Sequence, residues 1–297
     1  TTGYWDCCKP SCSWPGKGNV DRPAASCDAS TGRPLSDANA ASACDGGEAV
    51  TCASNQPFQV GEHLSMGFAA AAVGGASGLS GDVNCGQCFE LIFERKVHDG
   101  TWGGSHPDLV GKRHVVQVTN IGYDVGGEQS FDLLIPGAGQ GIFTRGCTQQ
   151  FPNYKSGDFD CDNRYGGCDK KSGCERLPEE LREGCYWRYD WLRWLAGGGQ
   201  TNNPYVKFRR VRCPEQLTKI SGSTPLDDSD HPAHEGGGGG IIPEIPGHLD
   251  GLGIPTQWLQ VAGVVLLGLV LCAVVCTCCL CAGCLASPLG GWTLLAA

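Results

Sequence analysis

The stretch Tyr4-Trp5-Asp6-Cys7-Cys8-Lys9-Pro10-Ser11-Cys12-Ser13-Trp14 decides how this chain is read. It sets one carboxylate, Asp6, among aromatic rings and three closely spaced cysteines. Cysteines at that density predict a rigid, disulfide-pinned backbone. A carboxylate beside aromatic rings suits chemistry on a sugar, whose apolar faces stack on rings. A second carboxylate, Asp132, lies in Ser130-Phe131-Asp132-Leu133-Leu134-Ile135-Pro136-Gly137, an apolar strand-like run. Two isolated carboxylates in unlike settings are the minimum equipment for glycoside hydrolysis. The apolar neighbours of Asp132 disfavour its charged form and raise its pKa, which suits an acid. The setting of Asp6, between cysteine-pinned loops and Lys9, suits an ionised base. Taken singly, Asp6 also reads as a turn or capping aspartate, and Asp132 as an outward-facing strand residue.

The 297 residues carry a formal net charge of -9, enough chain for one large domain or two small ones. An acidic balance with no basic face argues against a nucleic-acid partner. The 20 cysteines fall into two groups, fourteen from Cys7 to Cys213 and six from Cys272 to Cys284. The first group predicts up to seven disulfides and an oxidising compartment, with connectivity left open. Zinc is the competing reading, since Cys85-Gly86-Gln87-Cys88 has half a zinc-knuckle spacing, but no His pair follows. No signal peptide is visible before Thr1, so the sequence is expected to begin at a mature N-terminus.

Strand character is densest in Cys88–Phe93, His114–Thr119, Phe131–Ile135 and Tyr205–Val211. Tyr186–Trp194 is ambiguous: its tryptophans have helical spacing, its aromatics also alternate, and the Asn202-Asn203-Pro204 turn favours a strand pair. The Ala-rich Leu64–Val73 run, stopped by Gly74-Gly75, predicts a helix. The sum is a mainly β domain, a barrel with long disulfide-stapled loops. Gly137-Ala138-Gly139-Gln140-Gly141 follows a strand like a phosphate loop, yet lacks the helix and lysine such a loop needs. It reads as a turn that lets backbone pass close to substrate. Asp158–Asp162 has the charge but not the spacing of a calcium loop. No metal or cofactor is expected.

Residues 219–257, with Ser/Gly/Pro stretches, Asp227-Asp228-Ser229-Asp230 and Gly236–Gly240, predict a flexible linker. His231 and His234 there read as unbound. Residues 258–285 are almost wholly apolar and long enough to span a bilayer, with Trp258 at the interface and residues 286–297 as a short tail. A glycolipid-anchor signal and an unnatural tail are the other readings. Cys278, Cys279, Cys281 and Cys284 suit lipidation.

The residues of the opening motif resemble those of the family 45 glycoside hydrolases, secreted endo-β-1,4-glucanases. The resemblance continues through Gly67-Phe68-Ala69-Ala70, Cys88-Phe89-Glu90-Leu91, Phe131-Asp132, Gly141-Ile142-Phe143, Arg164-Tyr165-Gly166-Gly167, Gly184–Trp191 and Val211–Pro214. It covers residues 1–218. It implies a six-stranded double-psi β-barrel with a long groove, few short helices, and inverting hydrolysis of cellulose or related β-glucan. On the matching positions Asp132 is the general acid and Asp6 the general base. Asp124, in Gly122-Tyr123-Asp124-Val125-Gly126, matches a third aspartate on a loop near the cleavage point. Tyr4 and Trp14 match aromatic residues that line sugar subsites.

Two departures stand out. The Asp124–Asp132 loop is one residue longer than the pattern, and Cys85, Cys88, Cys161, Cys168 and Cys174 point to one rewired disulfide. Trp5, Trp187, Trp191 and Trp194 are assigned to packing. The chain is expected to be extracellular, secreted or tethered at the cell surface through residues 258–285, with a monomeric catalytic domain. An expansin-like, non-hydrolytic wall-loosening protein shares the barrel and an aspartate like Asp132 but lacks a counterpart of Asp6. A silent glucan-binding module is the third reading.

Overall fold

Strand β7, Arg113–Ile121, lies inside the principal sheet, and Val115, Val116 and Val118 on it are fully buried. A strand covered on both faces reads as a continuous β-branched run. The computed structural model describes residues 1–75, 78–95, 107–121, 129–193 and 203–235. The other strands are β1 Thr2–Tyr4, β2 Cys27–Asp28, β3 Ala49–Val50, β4 Phe58–Gln59, β5 Leu64–Ala72, β6 Cys88–Phe93, β8 Ser130–Leu134 and β9 Val206–Val211. Three short α-helices accompany them: α1 Gly146–Gln150, α2 Arg182–Asp190 and α3 Glu215–Ser221.

The principal sheet has seven strands. Six run in the order β1-β8-β5-β7-β6-β9, and β4 pairs with β5 off that path. The β1–β8 and β5–β7 ladders are parallel, whereas β5–β8, β6–β7 and β6–β9 are antiparallel. The four strands predicted from the sequence are all present. Alternate residues feed two cores: Ala69, Ala71, Val116, Val118, Phe131 and Leu133 pack into one, Met66, Phe68, Val115 and Leu134 into the other.

Two expectations are corrected. Leu64–Val73 is a strand rather than a helix. Alanine has the highest intrinsic helix propensity, but that preference is small and tertiary pairing overrides it. Here β5 is hydrogen-bonded on both edges and every residue of it is buried, so small side chains let neighbouring layers close on it. Conversely, among the described residues 186–193 there is no strand. Arg182–Asp190 is helical, and Trp187 and Trp191 stack one turn apart with ring centroids 5.4 Å apart. Trp194 lies outside the described residues.

Seven disulfides use all fourteen cysteines of the first group: Cys7–Cys147, Cys8–Cys44, Cys12–Cys85, Cys27–Cys52, Cys88–Cys213, Cys161–Cys168 and Cys174–Cys185. Cys85 and Cys88 thus go to different partners instead of sharing a zinc. The carboxylates of Asp158 and Asp162 pair with Arg176.

Composition marks residues 219–257 as linker, yet residues 219–235 are tied to the sheet. Buried Gln117 accepts from Ser221 Oγ at 2.7 Å and donates to Ser223 O at 2.9 Å. Pro225 bridges to Val20, and Arg212 N–H donates to Pro232 O at 2.7 Å. Finally Glu235 pairs with Arg113 at 2.6 Å and Arg209 at 3.1 Å. Those two arginines also hold Glu90, whose side chain is fully buried. Low hydrophobicity is a poor guide here because polar partners on the sheet, not a core, anchor the segment. Residues 258–285 lie outside the described residues, among which no helix is long and apolar enough to cross a membrane.

Candidate active site

Cross-strand register builds the floor of a cleft. In the β1–β8 ladder Thr2 faces Asp132; in β5–β8 Asp132 faces Ala70; in β5–β7 Ala70 faces Asn120. A register irregularity between Ala69 and Ala70 shifts that last pairing by one residue. Asp132 and Asn120 therefore stand in one row with only the Ala70 methyl between them. All three line a cleft of about 320 Å³. Asp132 is half-buried, and its chain neighbours Phe131 and Leu133 are buried in the core.

Asp6 reaches the same cleft from the end of β1. Trp5 N–H donates to Gly139 O at 2.8 Å, and the Trp5 ring is wholly buried, as its assignment to packing requires. Next, Cys7 adopts φ 58°, a left-handed conformation that turns the chain. Its disulfide ties it to Cys147 on α1, while Cys8 is tied to Cys44. Cys8 N–H donates to Asp6 Oδ1 at 2.9 Å. A Cβ at Gly146, which opens α1, would fall 2.7 Å from Asp6 O, so only glycine lets this helix approach. The carboxylate is thus held by backbone locked on both sides.

Tyr4 and Trp14 also line the cleft. Asn120 Nδ2 donates to Tyr4 Oη at 2.9 Å, and Asn120 Oδ1 accepts from Ser11 N–H at 2.9 Å. The Lys9 ammonium donates to the carbonyls of Ala38 and Ala40, both at 2.8 Å, and lies 3.3 Å from the Trp14 ring centre. One face of Trp14 is therefore backed by a cation. Burial lowers the pKa of Lys9 and the Asp37 carboxylate opposes that. The opposite wall is Gln140, Gly141, Ile142 and Phe143, with Ile142 and Phe143 exposed. The glycine-rich turn that resembles a phosphate loop is thus cleft wall.

The fold brings four of the five expected site residues together: Asp6, Asp132, Tyr4 and Trp14. Asp124 lies outside the described residues. Sequence reasoning missed Ala70, Asn120, Ser42 and Asp45, which also line the cleft. Ala70 was read as a small residue in a supposed helix and as part of a family-like Gly67-Phe68-Ala69-Ala70 run, with no site role. Asn120 carries no local signal, because its position depends on the register of two ladders.

A disulfide-stapled sheet with two carboxylates and two aromatic rings on one open cleft has the equipment of a glycoside hydrolase. Residues 1–224 match the family model "Glycosyl hydrolase family 45", and the chain belongs to that family. It is 41% identical over 237 residues to "Putative endoglucanase type K" of Fusarium oxysporum, covering 80% of this chain and 56% of that protein. It is 41% identical over 221 residues to "Endoglucanase" of Cryptopygus antarcticus, covering 74% of this chain and 86% of that protein. The chain thus spans little more than half of the fungal relative. The crystal structure of the cellulase from the Antarctic springtail Cryptopygus antarcticus is similar at TM-score 0.62 and 40% identity. That match covers 76% of this chain and 95% of the springtail chain.

Proposed function

We propose that this chain is an endo-acting β-1,4-glucanase that cleaves internal bonds of cellulose and related β-glucans with inversion. The observation that carries the reading is the placement of Asp6 and Asp132 on one open cleft between aromatic rings. A glucan chain lies along the cleft with sugar faces on Tyr4 and Trp14. Protonated Asp132 gives its proton to the glycosidic oxygen as the bond from C1 breaks. Asp6, ionised and held by the Cys8 N–H, takes a proton from a water that attacks C1 from the other face. Inversion calls for the two carboxyl groups to stand roughly 6.5–9.5 Å apart, leaving room for that water. Asp124 assists near the cleavage point.

The fold is read as a double-psi barrel whose β1 and β9 edges approach each other. Support comes from the Thr1 amine and Oγ1, both bonded to Pro204 O, at 3.0 and 2.8 Å, just ahead of β9. The catalytic unit acts as a monomer outside the cell, a setting in which seven disulfides persist. Residues 258–285 tether it to a membrane; activity that stays in the supernatant after membranes are pelleted would count against tethering.

The test follows sugar released from cellohexaose by proton NMR. Initial α-anomer, absent in Asp6→Asn and Asp132→Asn, is expected. Initial β-anomer would overturn inversion, and no release at all would favour an expansin-like binding role.

A further inference from the structure

Arg188 is a buried charge that the proposed chemistry does not use. It lies on α2 with 1% of its surface exposed. Burial lowers its pKa to about 10, so it remains a cation at neutral pH. Its Nη1 donates to Gly137 O at 3.1 Å and Cys168 O at 3.0 Å, and its Nη2 donates to Gly166 O at 2.7 Å. A planar guanidinium presents these donors in a fixed fork, so the three carbonyls are held in one arrangement.

Two of those carbonyls belong to the 166–168 segment and one to the 137–141 turn. The segments are further joined by Cys168 N–H to Gly137 O at 2.9 Å and Gly141 N–H to Arg164 O at 2.8 Å. The turn touches both carboxylate-bearing segments. Upstream it continues β8, which carries Asp132, and Ile135 N–H donates to Tyr4 O at 2.9 Å. At its middle, Gly139 O accepts the N–H of Trp5, the residue before Asp6. Downstream, Gln140 and Gly141 are cleft wall. Gly137 and Gly139 sit at φ 80° and 118°, conformations that glycine allows but does not enforce.

We infer that Arg188 is a positioning residue that sets the separation of Asp6 and Asp132 by clamping the Gly137–Gly139 turn from behind. The inference rests on the acid–base assignment proposed above. Arg188 touches no substrate; it acts through the turn. The three bonds leave Arg188 from two nitrogens in one rigid plane, whereas an ammonium offers its donors from a single nitrogen on a flexible stem, so Arg188→Lys keeps the charge and loses the fork.

The experiment measures kcat, KM and the pH limits of kcat on cellohexaose for wild type, Arg188→Lys and Tyr189→Phe. Melting and near-ultraviolet circular dichroism report the folded fraction. For folded Arg188→Lys, kcat should fall about 10- to 100-fold, as expected for a small misplacement of catalytic groups. KM should stay within about twofold, and the pH limits should move, because the coupling between two carboxyls depends on their spacing. Tyr189→Phe removes the hydroxyl bond to Cys168 O, a carbonyl shared with Arg188, but leaves the Arg188 bonds to Gly137 O and Gly166 O; it should lower stability and move the pH limits less than Arg188→Lys does. A folded Arg188→Lys with wild-type kcat and pH limits would overturn the inference and leave Arg188 a packing residue. Should Arg188→Lys not fold, Gly139→Ala displaces the same turn with Arg188 intact, since its Cβ would meet Arg164 O at 2.5 Å. Wild-type pH limits in that variant would overturn the inference equally. Asp6→Asn and Asp132→Asn run alongside. If either stays active, the acid–base assignment itself fails; if both are dead while Arg188→Lys is unchanged, only the role of Arg188 fails.

Discussion

Asp132 and Ala70 face each other across the antiparallel β5–β8 ladder, so the smallest chiral side chain lies beside the proposed acid. Ala70 is 3% exposed and lies on the cleft floor. A larger residue there fills cleft space that the proposed function assigns to sugar. Ala70→Leu should lower kcat/KM by at least about 100-fold while costing about 1–3 kcal/mol of stability from overpacking. Unchanged kcat/KM in a folded variant would remove Ala70 from the floor of the site.

The two carboxylates should separate by leaving group. A protonated acid matters for a poor leaving group and little for a good one. Asp132→Asn should lose about 100-fold or more on cellohexaose and regain most of it on a dinitrophenyl cellooligosaccharide. Asp6→Asn should be inactive on both, since water still needs a base. Rescue of Asp6→Asn instead would exchange the two roles.

Trp14 is backed on one face by the Lys9 ammonium, and the proposed function puts a sugar on the other. Ring stacking contributes on the order of 1 kcal/mol. Trp14→Ala should therefore raise KM on long oligosaccharides about fivefold with little change in kcat. A fall in kcat at constant KM would mean that Trp14 acts at the reacting bond.

His114 makes stability depend on pH. It is buried against Trp187 and Trp191, with Nδ1 2.8 Å from Ser65 Oγ. Desolvation pushes its pKa down to about 3, against the hydrogen bond with Ser65. The unfolded chain takes up this proton near pH 6.5, and the folded chain refuses it until about pH 3. The unfolded state thus binds more protons across that window. Stability is full above about pH 6.5 and falls as pH drops toward 3, by about 3 kcal/mol between pH 7 and 4. Urea midpoints should show that loss, and His114→Gln should remove most of this part of the slope. An equal slope in the variant would acquit His114.

Glu90 and Glu235 share Arg113 and Arg209 but differ in burial, fully buried against 46% exposed side chains. Removing one charge of a buried ion pair strands its partners, at about 3–5 kcal/mol. An exposed pair contributes about 0–1 kcal/mol. Glu90→Gln should thus lower the melting temperature severely and Glu235→Gln slightly. Equal shifts would show that the network acts as one exposed cluster.

Much of the site was legible from residue chemistry. Asp6 and Asp132 announced themselves as isolated carboxylates in unlike neighbourhoods, and both reached the cleft. Lys9 was read as a neighbour suited to an ionised Asp6; it lines the same cleft, and its ammonium serves Ala38, Ala40 and the Trp14 face. That outcome depends on where the 38–40 loop folds back, which no local pattern records. The helical spacing of Trp187 and Trp191 was a true signal, outweighed in the reading by the turn motif at 202–204.

The sequence by itself determined the chemistry that was available. It supplied β-branched runs for strands, cysteines for staples, and carboxylates beside aromatic rings, because side-chain volume and polarity act locally. Only the tertiary structure decided which of these meet. The Thr2–Asp132–Ala70–Asn120 row is a matter of register across four strands, and a shift of one residue would turn each side chain to the opposite face. The same pairing made a strand of the Ala-rich β5 and left a methyl-sized floor beside Asp132. Ladder hydrogen bonds and burial on two faces outweigh the few tenths of a kcal/mol per residue by which alanine prefers a helix.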